Sequence, residues 1–280
     1  MRMTSPIERF CDCLRGEIPR DVDWVEIIGV ANEHLIAPML YRRVLLAGSG
    51  AQVDEDAMCY LESIDAANRV RNQRIKSMLV ELTAALNANA ICPLVVKGAR
   101  DLVQREDPGD VTRLMLDIDI LVDEAELPLA TKTLASCGFR AIEDSEYEHS
   151  PGSYWRAGDV ATVDLHVRLP AAISDCLTSQ DMEAHTQLID CDGARMRIPD
   201  ASMHMFIHVS HDMLHHHGLT SGSTELRYLA ELAEQLGACQ QEIDWRWIEE
   251  KKGADRSFGR ALDLQALMLR HLFGTSSNLT

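Results

Sequence analysis

Positive charge is scarce in this chain: 27 Lys and Arg stand against 44 Asp and Glu in 280 residues, a formal net charge of −17. Such a balance gives no broad electrostatic grip on a phosphate backbone, so bulk nucleic acid is excluded as a partner. Long apolar runs are missing too. Nothing approaches the roughly 18 consecutive apolar residues of a membrane span, and the N-terminal MRMTSPIERFCDCLRG has no apolar signal core, so no membrane partner and a cytoplasmic location are expected. The eight cysteines, at 11, 13, 59, 92, 137, 176, 191 and 239, include no CxxC pair, which argues against a zinc ribbon or a disulfide framework and fits a reducing compartment. A P-loop is excluded as well, because GxxxxGK[ST] does not occur.

Hydrophobic residues make up 46% of the chain, enough for a real core in one large domain or two modest ones. The periodicity divides the chain into three zones. Residues 1–90 read as an N-terminal helical region: WVEIIGVANEHLIAPMLYRRVLLAG is one helical pattern stopped by Gly48-Ser49-Gly50, and a second runs from Asp54 to Ala90. Residues 91–198 change period. ICPLVV, LDIDILV, YWRAG and TVDLHVRL look like strands, with DEAELPLATKTLASCG between them as a helix closed by Gly138. From 199 to 280 the pattern is helical again. The fold class expected is therefore α/β (α+β), a small mixed sheet with helices flanked by N-terminal and C-terminal helical regions.

The stretch RLMLDIDILVDE sets two carboxylates, Asp117 and Asp119, in an otherwise apolar strand. Side chains alternate along a strand, so both lie on one face, about 7 Å apart along the backbone, and repel unless a positive group stands between them. Asp164 in TVDLHVRL breaks a second apolar alternation and shares its face with His166 and Arg168. If the two strands are neighbours, three carboxylates converge as oxygen ligands for hard cations, Mg²⁺ or Mn²⁺. A pair of such ions clamps the attacking and leaving oxygens of an in-line displacement at phosphorus. On this reading Asp117→Asn or Asp119→Asn abolishes turnover, leaves folding largely intact and relieves repulsion.

Upstream, LVVKGARDLV places Lys97-Gly98 between a strand and a short helix. Gly98 is expected to permit a tight turn, the helix N-terminus to offer N–H groups to an anion, and Lys97 to add a point charge. Arg113 suits either a phosphate or one of the nearby acids. His166 suits orientation of a carboxylate, contact with substrate, or a satisfied place in the core.

The order LVVKGARDLV, an Arg before DIDILV, CGF and VDLHVRL, followed by LRYLAEL, resembles the uncharacterised nucleotidyltransferase family of the DNA polymerase beta superfamily, over most of residues 20 to 270. The resemblance implies nucleotidyl transfer from a nucleoside triphosphate to an acceptor hydroxyl on a small molecule, peptide or protein. It assigns both metals to Asp117 and Asp119, completion of the catalytic metal and deprotonation of the acceptor to Asp164, and the triphosphate to Lys97 and Gly98. Arg113 and His166 join the nucleotide-binding set. The chain departs from the family with Val167 for its usual Trp, Glu231 for its usual Asp, and Lys-Gly where most of the superfamily has Gly-Ser.

Two other readings stand beside this one. His204, His208, His211 and His215 fall on one helical stripe, and His211-Asp212 suits an HD-type metal-dependent phosphohydrolase, although a third ligand is not evident in the spacing. The stripe equally serves to pack the C-terminal helices on the core. A degenerate transferase that binds a nucleotide without transferring it is the other alternative. In STELRYLAELAEQL the leucines form an apolar face, and Arg227 and Glu231 read as an ordinary i,i+4 surface pair.

Overall fold

The computed structural model describes residues 5–20, 22–144 and 151–275, so residues 1–4 of the N-terminal MRMTSPIERFCDCLRG lie outside the described residues. Helix α1 (Pro6–Leu14) begins on a capping box in which Ser5 and Glu8 each accept the other's backbone N–H, with Pro6 in the first turn. The single helical pattern expected from Trp24 to Gly48 folds as two helices, α2 (Trp24–Glu33) and α3 (Ala37–Leu46). Leu35 turns the chain with φ 58, and Pro38 sits in the first turn of α3, where its missing N–H costs nothing.

Helix α4 (Glu55–Ala88) runs for 34 residues, close to the span expected. Its buried polar residues have a specific task. Asn68 and Asn72 donate side-chain N–H groups to the Val111 carbonyl at 3.1 and 2.8 Å, and Arg71 donates to the Met115 carbonyl at 3.0 and 2.8 Å. The segment that feeds the Asp117 strand is thereby pinned to a rigid rod.

The α/β part follows: β1 (Leu94–Val95), α5 (Lys97–Gln104), β2 (Asp117–Leu121), α6 (Leu127–Ser136), β3 (Arg140–Asp144), β4 (Gly152–Trp155) and β5 (Thr162–His166). Gly138 ends α6 with φ 88, as its position suggested. Short helices α7 (Ala171–Ser174) and α8 (Ser179–Ala184) lead to a hairpin of β6 (Thr186–Cys191) and β7 (Ala194–Pro199). Strand ICPLVV is shorter than expected: only Leu94 and Val95 pair. The C-terminal helices are α9 (Ala201–Ser210), a π-turn over His211–His215, α10 (Gly218–Ser221), α11 (Leu226–Cys239), α12 (Trp245–Ala254) and α13 (Arg256–Phe273).

Among the described residues the strands form one mixed sheet in the order β3-β4-β5-β2-β1-β7-β6. Strands β2 and β5 pair in parallel, as do β1 and β7, and the remaining neighbours are antiparallel. Ile118, Ile120, Val163 and Leu165, on the face opposite the carboxylates, are fully buried against Ile75 and Leu79 of α4. A second core joins the two ends of the chain: Phe10 and Leu40 share it with Phe206 and Phe258. Each such fully buried side chain stabilises the fold by roughly 2 to 3 kcal/mol.

Candidate functional site

Strand register brings the carboxylates together. In the parallel β2/β5 pair Asp119 stands opposite Asp164, Leu121 opposite His166, and Asp117 opposite Thr162. Ligand atoms of Asp119, Asp164 and His166 all lie within 4.8 Å of one another. Asp117, one pleat away on the same face, completes the acidic strip without joining that tight group.

Asp119 is the centre of the arrangement, at 3% exposure. Its Oδ1 accepts a hydrogen bond from Lys97 Nζ at 2.7 Å and meets His166 Nε2 at 3.0 Å. Burial alone acts to raise its pKa, yet Lys97 and His166 outweigh it and hold the carboxyl well below the usual range. Asp117 and Asp164 go the other way. Burial raises both, with the Asp119 charge adding to it, against Lys97 at Asp117 and chiefly against a hydrogen bond from Ser153 at Asp164. One oxygen, Asp164 Oδ1, is buried without a hydrogen-bond partner. A buried anionic oxygen in that condition is the kind of atom a bound cation satisfies, so the donor set fits a hard divalent ion.

The Lys-Gly corner differs from expectation in its mechanics. The left-handed residue of the turn is Lys97, φ 55, and not Gly98. What Gly98 supplies is room: a Cβ there would stand 2.7 Å from Met115 Sδ and 3.1 Å from the Arg113 guanidinium. A non-glycine residue at positive φ costs of order 1 kcal/mol, which the packed surroundings absorb, and the conformation aims the Lys97 ammonium at Asp119. Helix α5 starts here with no side chain capping its N–H groups, as an anion site would require.

Arg113 follows the second of its two options. Its guanidinium pairs with Glu231 Oε2 at 3.2 Å, both side chains being largely buried. The expected Arg227–Glu231 surface pair does not form: Arg227 pairs with Glu225 at 2.8 Å, and Glu231 turns inward. Arg113 and Glu231 line a cavity of about 340 Å³ together with Arg100, Asp101, His204 and His208. Neither Glu231 nor His204 and His208 stood out in the sequence as partners of Arg113, since 118 residues separate Arg113 from Glu231.

The histidine stripe is split. His208 donates Nε2–H to the Tyr228 carbonyl at 2.7 Å, while His211 Nδ1 meets the Tyr228 hydroxyl at 2.9 Å. Asp212 faces elsewhere, its Oδ2 accepting from Thr224 at 2.6 Å and from Gln265 at 2.7 Å. His211 and Asp212 therefore do not share the single site that the phosphohydrolase reading needs.

A sheet that sets acidic residues side by side on parallel strands, beside an uncapped helix N-terminus, suits chemistry at a phosphate with a hard cation. Residues 20–274 match the family described as uncharacterised nucleotidyltransferase, and the chain belongs to it. It is a nucleotidyltransferase, acting between a nucleotide donor and an acceptor. Among solved structures, the solution structure of the antibiotic-resistance factor ANT(2'')-Ia is similar at 13% identity, with a TM-score of 0.45, covering 70% of this chain and 99% of that one. Comparison with curated proteins finds no match. No helix among the described residues is long and apolar enough to cross a membrane.

Proposed function

We propose that the chain transfers a nucleoside monophosphate from a nucleoside triphosphate to an acceptor hydroxyl on a small molecule, peptide or protein, with Mg²⁺ or Mn²⁺ held by Asp117, Asp119 and Asp164. The observation that carries this reading is the parallel register that sets Asp119 against Asp164, with His166 beside them. Bound there, a hard divalent ion would supply Lewis-acid charge for the oxygens of the reacting phosphate.

The protein's own groups do the rest. Asp164, whose pKa is raised by burial and by Asp119, is the better proton acceptor of the facing pair and takes the acceptor's hydroxyl proton. The acceptor oxygen then forms its bond to the α-phosphorus as the bond to the bridging oxygen of pyrophosphate breaks, and the electron pair leaves with pyrophosphate. Lys97, at the start of α5, would add its positive charge to the phosphates, and the α5 N–H groups would donate to them without reorganisation. Glu231 holds Arg113 beside Gly98, so Arg113 reaches the donor only at the edge of this corner.

The test is pyrophosphate release from each nucleoside triphosphate with Mg²⁺ or Mn²⁺, paired with thermal shift. Asp119→Asn and Asp164→Asn should each cut turnover by about 10³-fold, the scale of losing a preorganised charge at a reacting centre. Full turnover in either variant would remove the carboxylates from the mechanism.

A further inference from the structure

Helix α9 does not end at Ser210; it loosens. The His216 N–H bonds the His211 carbonyl at 3.0 Å, an i to i+5 bond that inserts one residue into the turn. In a regular helix only His215 would lie over His211. The wider turn brings in His216 as well, so that the three rings stand 4.3 to 5.4 Å apart, centroid to centroid. One ring nitrogen from each lies within 4.8 Å of the others.

The surroundings fix this cluster. His217 takes φ 60 directly after it, and at Gly218 a Cβ would come within 2.7 Å of the Ser223 carbonyl and 2.9 Å of the Asp212 carbonyl, so the exit of the turn admits little else. The Tyr228 hydroxyl at His211 Nδ1 orients that ring. An outer-shell hydrogen bond of this kind sets the tautomer of a metal-binding imidazole.

We infer that His211, His215 and His216 form a second metal site, a three-imidazole site for a borderline divalent transition-metal ion such as Zn²⁺, with a fourth position open to water or a substrate oxygen. The chemistry separates it from the carboxylate site: nitrogen donors select a softer ion than three carboxylates do. Three protein ligands with one open position is the pattern of catalytic rather than structural zinc. Burial lowers the pKa of both His211 and His216, and Lys97 lowers both further, so near neutral pH they present lone pairs rather than positive charge. A phosphate would find little attraction in such a cluster.

This assignment does not depend on the transfer reaction and is tested without it. Chelator-treated full-length protein is titrated with Co²⁺, followed by visible absorption, and the bound Co²⁺ is then displaced with Zn²⁺. One equivalent with the bands of a nitrogen-rich four-coordinate site is expected. His215→Ala and His216→Ala, at partly exposed and exposed positions, should keep the wild-type circular dichroism and weaken binding at least tenfold, and Tyr228→Phe should weaken it less. Asp119→Asn should leave the Co²⁺ spectrum unchanged. Equal affinity in the His215→Ala/His216→Ala double variant, a spectrum dominated by thiolate bands, or loss of the signal in Asp119→Asn would each overturn the assignment.

Discussion

At the sheet end, Asp119 and Asp164 meet because two strands keep their register; on the C-terminal helices, His211 and His216 meet because a helix loses its own. The first site gathers charge and must balance it, which Lys97 does at 2.7 Å. The second gathers imidazoles that burial keeps neutral. Charge makes the sheet site sensitive to the loss of a single partner, whereas the helical site depends on backbone shape. Within the sheet site the carboxylates respond to acid with opposite signs, since Asp119 is held low by Lys97 and His166 while burial raises Asp117 and Asp164.

The sharpest way to test the contrast is to remove one carboxylate at a time. Asp119→Asn leaves the Lys97 ammonium, 23% exposed, without its anion, and should cost about 2 to 3 kcal/mol in urea unfolding. Asp117→Asn removes a charge that burial and Asp119 already disfavour, and should raise the stability measured in the same way. The uniform relief of repulsion expected from sequence would make both variants more stable; equal signs would break the distinction drawn here.

Acid gives the next effect. Burial, aided by Arg100 at His204 and by Arg113 at both, pushes His208 down to about 4 and His204 down to about 3. The unfolded chain therefore takes up these protons below about 6.5 while the folded chain waits, and stability falls as pH drops from 6.5 toward 4. The slope is about 1.4 kcal/mol per pH unit for each such proton. Asp117 works in reverse: its folded pKa is raised, so its contribution is present at low pH and lost as pH rises through that value. Unfolding measured between pH 7 and 4.5 should be flatter in His208→Asn and steeper in Asp117→Asn than in the parent chain.

The smallest effect tests the corner. Gly98→Ala should cost about 1 to 2 kcal/mol through contact with Met115 and Arg113, the scale of a modest overpacking. If left-handed backbone freedom were the role of Gly98, the cost would persist in a Gly98→Ala/Met115→Ala double variant; relief by the second change supports the steric account.

The carboxylate strip was legible because a charge inside an apolar alternation is conspicuous, and period two alone places Asp117 with Asp119 and Asp164 with His166. That β2 and β5 are neighbours is a long-range fact, which the resemblance implied and local pattern did not. The β6/β7 hairpin carried a readable signal, since Asp192-Gly193, at φ 53 and 82, is a favoured two-residue turn between alternating runs. The partner of Arg113 was hidden for a different reason: i,i+4 spacing pointed Glu231 at Arg227, while burial against Arg113 decided the matter. The π-turn left no trace at all. His211 and His215 keep helical spacing in the sequence, and the inserted residue is visible only as a backbone hydrogen bond.

The core that Phe10 and Leu40 share with Phe206 and Phe258 has a consequence for how the protein is made. The first helices leave the ribosome long before the segment that covers them has been translated, and Arg15 must wait for the carbonyl of Leu272, at the far end of the last helix. The sheet can assemble in the interval, but the apolar flanks of the leading helices stay open until synthesis is nearly done. Nascent chains stalled before residue 200 should accordingly depend on chaperones more than the finished protein does.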